Sequence, residues 1–476
     1  MATDLPFLWL VPDRAALQDM RSGRQLSAGQ LRAAVQDRAA RLGWALAQDR
    51  AAPRPRVAIA QGDPLAYLTD LLACWAAGAS AVAVNPGLPA PERGIVTRAL
   101  GIGLWLDGTT ELAPPPADTP RAAPLGADEP ALLMTTSGTT GQPKGVTLSL
   151  RALEARVALN LAHIPAAEMT TTLCPLPVFF GHGLIGNILT PLAAGARVLL
   201  WPAPGMAELP ALGQALAGEQ VRFLSSVPAF WSMLMRLAPV PPPGTLARVH
   251  VGSAPLSAGL WQDIAAWAGT RNVWNMFGMT EAANWIAGAR LQDPVTEGAI
   301  GAPWGGRFAV LSDAGIAPAG HGELLLRSPA LMQGYADDPA RSAEALADGW
   351  FRTGDIADLS PDGSAVLRGR RKFEINRAGV KVLAEEVDML LLRHPDVAEA
   401  LAVGLPDPVA GEIVGAAVVL RPGSTVTPAD LTAWCRSQTR AEAVPARLAL
   451  RDALPRTDRG KPDRVALRAL LAKGGD

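Results

Sequence analysis

With 476 residues, 49% of them hydrophobic, the chain exceeds what one ordinary core organises, so two or three domains are expected. A formal charge of −1 supplies no field to gather nucleic acid or an anionic membrane surface, and both are set aside as partners. There is no run of eighteen apolar residues and no basic-then-apolar leader, and the separated Cys74, Cys174 and Cys435 form neither a metal pattern nor a disulfide framework; a soluble, cytoplasmic protein is expected.

Residues 14–130 read as alternating helices and strands. Ser27 is placed to cap an amphipathic helix reaching about residue 48, Val57 to Ala60 is a short apolar strand, Pro64 opens a helix to about Ala77, and Ala81 to Val84 is another strand. This βαβ rhythm predicts a parallel or mixed sheet with helices on its faces. A Pro/Ala/Thr-rich stretch over 113–127 reads as a connecting loop.

The apolar run Leu132-Leu133-Met134 then breaks into Thr135-Thr136-Ser137-Gly138-Thr139-Thr140-Gly141-Gln142-Pro143-Lys144-Gly145. Such a loop suits phosphate: glycines admit an anion close to the backbone, hydroxyls and N–H groups donate to its oxygens, and Lys144 adds charge. The G-x-x-x-x-G-K-[ST] spacing is absent, which disfavours a P-loop nucleotide hydrolase, and a solvated surface loop is the plain alternative.

The rhythm resumes with a helix over 149–163, a strand over 171–174, a helix near 184–193, a strand over 197–200 and further pairs to a strand ending at Val251. Short strands and turns over about 299–370 predict a small β-rich subdomain. Beyond Lys372 a charged helix over 385–394, strands near 400–404 and over 413–420, and helices after Pro428 and Pro462 predict a compact α+β module. The expected class is α/β, with an N-terminal domain over 1–371 and a C-terminal domain over 372–476.

Lysine is scarce. Only five of the 43 basic residues are lysine, and Lys144, Lys372, Lys381 and Lys461 fall in distinctive segments while Lys473 lies in the tail. Lysine is kept where a compact ammonium differs from a guanidinium.

The segment Ser137-Gly138-Thr139-Thr140-Gly141-Gln142-Pro143-Lys144-Gly145 resembles, position for position, the signature loop of the adenylate-forming superfamily: acyl- and aryl-CoA ligases, luciferases and the adenylation domains of peptide synthetases. Asn275-Met276-Phe277-Gly278-Met279-Thr280-Glu281 is similar to the family's Tyr-Gly-x-Thr-Glu motif. There the resemblance implies an aromatic face on adenine (Phe277), Thr280 on the α-phosphate and Glu281 on Mg²⁺. Trp350-Phe351-Arg352-Thr353-Gly354-Asp355 carries the family's Thr-Gly-Asp, implying that Asp355 accepts both ribose hydroxyls, with Arg370 also on the nucleotide. Val249 to Leu256 is similar to the adenine-side loop, with Gly252, Ser253, Ala254 and Pro255 at the contact.

Pro175 to Leu184 resembles the substrate-side motif in part: Phe180 stands where a His is usual, and His182 follows two residues on. Amino-acid-activating relatives place at Phe180 an Asp that pairs with the α-ammonium, which a phenyl ring cannot do, so an α-amino acid substrate is disfavoured. Two core phenylalanines and a helix-start histidine are the structural alternative. Phe179, Phe180, His182, Gly252, Ser253, Met279 and Trp285 are the expected acid pocket.

In the C-terminal module the resemblance implies a hinge at Lys372, a thiol-tunnel loop with Gly379 and Lys381, and a lysine loop, Pro455 to Arg464, delivering Lys461. Phe373 and Ala384 depart from the family pattern, which puts an acid after the hinge and a proline before Glu386.

The nucleotide set implied is Thr136, Ser137, Gly138, Thr139, Thr140, Gly141, Lys144, Ser253, Ala254, Pro255, Asn275, Met276, Phe277, Gly278, Thr280, Asp355, Arg370 and Lys461. Lys461, Glu281, Thr280 and Lys144 are the expected catalytic groups. Lys461 would bridge the attacking carboxylate and the α-phosphate as like charges meet.

The resemblance implies ATP- and Mg²⁺-dependent activation of an aryl or short-to-medium acyl acid to an acyl-adenylate, then transfer to CoA. Delivery to a separate carrier protein, and a catalytically silent nucleotide-binding protein, stay open.

Overall fold

The computed structural model describes residues 5–48, 55–137, 143–457 and 462–472. Four sheets organise it. The first has eight strands, in the order Asn284–Arg290, Val273–Met279, Arg248–Gly252, Phe223–Ser226, Thr171–Cys174, Arg197–Leu200, Ala16–Asp19 and Gln25–Ser27. Its inner strands pair in parallel, and an antiparallel partner closes each end. The second has six strands and places Pro130–Ser137 beside Ser80–Ala83 in parallel and Pro143–Ser149 in antiparallel.

Local sequence explains the elements between them. Ser27 and Gln30 cap the helix Ala28–Gln48 reciprocally, the Gln30 backbone N–H donating to Ser27 Oγ at 3.2 Å and the Ser27 backbone N–H to Gln30 Oε1 at 2.8 Å. Asp63 accepts from Leu65 and Ala66 ahead of Pro64–Ala76, with proline at the first helical position. Ser149 does the same for Leu150–His163. The largest apolar cluster joins these helices to both sheets, from Phe7 through Trp75 and Leu132 to Ile188.

The expected β-rich subdomain is a six-stranded antiparallel sheet ordered Ala299–Gly301, Ala365–Arg370, Phe351–Leu359, Gly320–Arg327, Arg307–Ser312 and Gly315–Ala317. One piece of it leaves: Gly334–Tyr335 pairs instead with Pro143–Ser149 of the second sheet.

The C-terminal module has its own five-stranded sheet and two apolar clusters around Val387–Leu391 and Leu467–Leu471. Its strand Val397–Asp407 is longer than the sequence suggests, because ten of its residues pair with Gly411–Leu420.

Two expectations need correction. The helix near 184–193 begins at His182, runs as a π-helix to Leu189 and tightens to α over Thr190–Ala193. The segment around Gly379 and Lys381, read as a loop, is a hairpin of Glu374–Arg377 and Val380–Leu383 turned by Ala378 and Gly379 at φ 51° and 86°. Alternation of only four residues per strand was too short to register.

Candidate active site

The described ends of the signature segment are two antiparallel strands. Thr135, Thr136 and Ser137 pair with Gly145, Lys144 and Pro143 across it. Lys144 thus returns beside the strand that delivers the hydroxyls. Partial burial and the neighbouring cations Arg341 and Lys372 push its ammonium below the usual range, against the pull of Glu281 and Asp338. Cations gathered this closely are ready to be offset by a polyanion.

Glu281 sits in the single turn Thr280–Ala282 at the end of strand Val273–Met279. Behind it Ala283 and Asn284 both take positive φ, 53° and 94°, a strained exit that residues with side chains rarely adopt. Arg156 holds that exit: fully buried, it donates to the carbonyls of Ala282 at 3.1 Å and Trp304 at 3.3 Å and to Ser328 Oγ at 3.4 Å. Burial lowers its guanidinium to about 9. The Glu281 carboxylate accepts from Tyr335 Oη at 3.1 Å, and its carbonyl accepts from the Met332 backbone N–H at 2.7 Å.

Asp355 and Arg370 lie opposite each other on neighbouring antiparallel strands. Arg370 Nε is 2.7 Å from Asp355 Oδ1, and its Nη2 donates to Oδ2 at 3.3 Å. Burial pushes the Asp355 carboxyl up to about 6, Arg370 opposing and Glu385 and Glu281 adding to the rise. Thr353 Oγ1 supports the strand here, donating to Leu324 O at 2.7 Å and accepting from the Asp355 N–H at 3.1 Å.

Lys372 follows Arg370 by two residues, its ammonium 4.7 Å from the ring centre of Phe373; Arg464 lies 5.1 Å from the same ring. Burial and Arg370 depress the Lys372 ammonium. Phe373, a departure from the family pattern, is here the apolar surface shared by two cations. Lys381 is exposed on its strand and pairs with Glu374 at 3.2 Å, and Gly379 is exposed at the turn.

His182 is buried at the start of the π-helix. Its Nδ1 lies 3.0 Å from Ser253 Oγ and its Nε2 2.7 Å from Ser225 Oγ, and Trp285 meets its ring edge at 5.5 Å. Ser253 reaches it from a positive φ of 67°. Ala254 is half-buried and Pro255 exposed beyond it. Phe179 and Phe180 meet edge-on at 4.4 Å, both partly open. A Cβ on Gly252 would stand 2.7 Å from Met276 O and one on Gly278 2.3 Å from Asn284 O, so both positions require bare backbone.

Met276 and Trp285 are packed with Trp304 in a satellite core, and the Asn275 amide donates to Ala299 O at 2.8 Å. Phe277 is buried and packs against the main core, while Met279 and Thr280 stay half-buried at the strand end. Gly138, Thr139, Thr140, Gly141 and Lys461 lie outside the described residues.

The chain matches the AMP-binding enzyme family model over residues 10–336 and the AMP-binding enzyme C-terminal domain model over 386–461. The chain belongs to this family. It is a member of the adenylate-forming superfamily, as the motifs imply. An oxalate–CoA ligase of Arabidopsis thaliana is 35% identical over 344 residues, covering 71% of this chain and 66% of that protein. A feruloyl-CoA synthase of an Amycolatopsis species is 31% identical over 457 residues, covering 89% and 90%. The amide bond synthetase McbA of Marinactinospora thermotolerans superposes with a TM-score of 0.84 at 26% identity, covering 98% of each chain. The α/β class with a large N-terminal and a smaller C-terminal domain is thereby met, as is the expectation of an AMP-forming ligase.

An AMP-binding enzyme handles Mg²⁺·ATP, and the donor set fits that ion. Glu281 offers a hard carboxylate with one oxygen engaged by Tyr335. Mg²⁺ commonly takes one or two carboxylates and completes its octahedron with phosphate oxygens and water. Among the described residues no three His, Cys, Asp or Glu side chains converge as a cage, and this mode of binding needs none. No helix of the described residues is long and apolar enough to cross a membrane.

Three residues of this site escaped sequence reading: Tyr335, Arg156 and Glu385. Glu385 Oε2 accepts from the Arg370 backbone N–H at 3.3 Å, linking the C-terminal helix to the nucleotide strand. Tyr335 carried one usable signal, being one of only two tyrosines in the chain.

Proposed function

We propose that this chain joins a carboxylic acid to the thiol of CoA in two steps. The acid attacks the α-phosphorus of ATP, giving an acyl-adenylate and pyrophosphate; the thiolate then displaces AMP. The observation that carries this reading is the convergence of Lys144, Glu281 and the Asp355–Arg370 pair on one face, with Lys372 at its edge.

Asp355 accepts the ribose hydroxyls while Arg370 holds its carboxylate in place. Lys144 and the signature hydroxyls take the phosphates, and Thr280 takes the α-phosphate. Bound Mg²⁺ supplies charge neutralisation on the phosphates, held by Glu281. Lys461 offsets the repulsion between the entering carboxylate and the phosphoryl group. The acid brings its own nucleophile, being ionised at neutral pH. Rotation of the C-terminal domain about Lys372, at a boundary of 1–371 and 372–476, then brings Gly379 and Lys381 to the thiol path.

The pocket takes an aryl or short-to-medium acyl acid. Phe179, Phe180 and Met279 supply apolar surface, and Phe180 offers no anion to an α-ammonium. Its thiols, Cys74, Cys174 and Cys435, are free and buried, which suits the reducing cytoplasm.

Pyrophosphate exchange across a panel of aryl, acyl and amino acids tests the first step. AMP release with CoA, compared with release with candidate carrier proteins, tests the acceptor. Exchange with amino acids alone, or release with carriers alone, overturns the respective part.

A further inference from the structure

Tyr335 joins two parts of the site that lie far apart in the sequence, Glu281 and the strand that carries Lys144, and we propose that it is the positioning residue of the Mg²⁺ carboxylate: its hydroxyl holds one oxygen of Glu281 so that the other is presented to the metal. The inference rests on the reading of Glu281 as the Mg²⁺ ligand.

Tyr335 itself is fixed from three sides. It pairs with Val146, and the flanking Gln333 and Ala336 N–H groups donate to Thr147 O at 2.9 Å and Gly145 O at 2.7 Å, so the segment rides on the strand that returns from the phosphate loop. Its own N–H donates to Ser342 Oγ at 2.8 Å, and Ser342 Oγ donates to Asp338 O at 2.7 Å. The Arg341 guanidinium lies 5.7 Å from its ring centre. Gly334 permits the close approach, at φ 153° with Ser342 Oγ 2.8 Å from where a Cβ would stand.

At its far end the hydroxyl donates to Glu281 Oε1 at 3.1 Å, while Met332 N–H holds the Glu281 carbonyl at 2.7 Å. One short segment therefore grips Glu281 twice and the Lys144 strand three times. A carboxylate that would otherwise sample several rotamers is held against the strand that carries Lys144, and the entropy of aligning it is removed before metal arrives.

The test is Mn²⁺ binding, followed by electron paramagnetic resonance, to the full-length protein saturated with α,β-methylene-ATP, which cannot transfer its adenylyl group. Tyr335→Phe should weaken Mn²⁺ by about tenfold, the scale of one hydrogen bond to a charged acceptor. Excess Mg²⁺ should restore most of the pyrophosphate exchange rate. Tyr335→Gln, which keeps a donor without the ring, should recover part of the metal affinity; a packing role predicts no recovery. Glu281→Gln runs in parallel. If it loses Mn²⁺ while Tyr335→Phe binds normally, the inference fails and the Glu281 reading stands. If neither loses Mn²⁺, the Glu281 reading fails and the inference with it.

Discussion

Arg370 Nε stands 2.7 Å from Asp355 Oδ1 because the two residues face each other across antiparallel strands whose register allows little else. Asp355 is 4% exposed, so its charge depends on that one partner. The carboxyl titrates near 4 in an unfolded chain and is raised to about 6 by burial here, so the folded form holds its proton over that window and stability declines as pH rises through it. In the proposed reading, nucleotide binding needs Asp355 ionised to accept the ribose hydroxyls. The KM for ATP should therefore rise as pH falls below about 6. Asp355→Asn should raise that KM by roughly 10- to 100-fold, the loss of charged hydrogen bonds to ribose, and remove its dependence on pH between 5 and 7. Initial rates of pyrophosphate exchange at varied ATP and pH check both.

Lys461→Ala should slow adenylation by on the order of 10²-fold or more, as loss of a preorganised electrostatic group does. Thioester formation from chemically prepared acyl-adenylate should stay within about twofold, because no entering carboxylate then meets a phosphate. Single-turnover measurements of each half-reaction separate the two. Equal losses in both would point to a folding role.

Arg156→Met removes the donors that satisfy Ala282 and Trp304, leaving two buried carbonyls without partners. A cost of about 2–4 kcal/mol is expected from denaturant unfolding, with an unchanged m-value. Because Ala282 closes the turn that carries Glu281, the Mg²⁺ dependence of exchange should shift in the same variant.

Gly278→Ala places a methyl 2.3 Å from the carbonyl oxygen of Asn284, a contact between two backbones that no rotamer relieves. The strand Val273–Met279 must move away from Asn284–Arg290 to admit it. Loss of at least about 2 kcal/mol and a fall in exchange of tenfold or more are expected, measured by thermal unfolding and initial rates.

His182 lies between Ser225 and Ser253, each within hydrogen-bond distance of its ring. His182→Ala should raise the KM for the acid by roughly tenfold while leaving the KM for ATP unchanged, since one hydrogen-bonded wall of the acyl pocket is lost. An equal rise in both would place His182 elsewhere in the mechanism.

Much of this was written locally. The helix cap at Ser27, short apolar strands and proline-led helices are signals confined to a few residues, and the structure keeps nearly all of them. The motifs carried the family for a similar reason: a phosphate loop, a metal carboxylate and a ribose acceptor each need particular residue types within about ten positions. The hairpin at 374–383 and the π-helical start at His182 were missed, because four-residue strands and one altered turn leave no periodicity to detect.

Residue chemistry and its order along the chain thus determined the fold class, the family and the candidates for the site. What the tertiary structure alone decided is which side chains hold those candidates in place. Tyr335 reaches Glu281 across 54 residues, Arg156 reaches Ala282 across 126, and His182 meets Ser253 across 71. Such pairings are set by sheet register and by the burial of unrelated apolar surfaces, which no local window of sequence encodes.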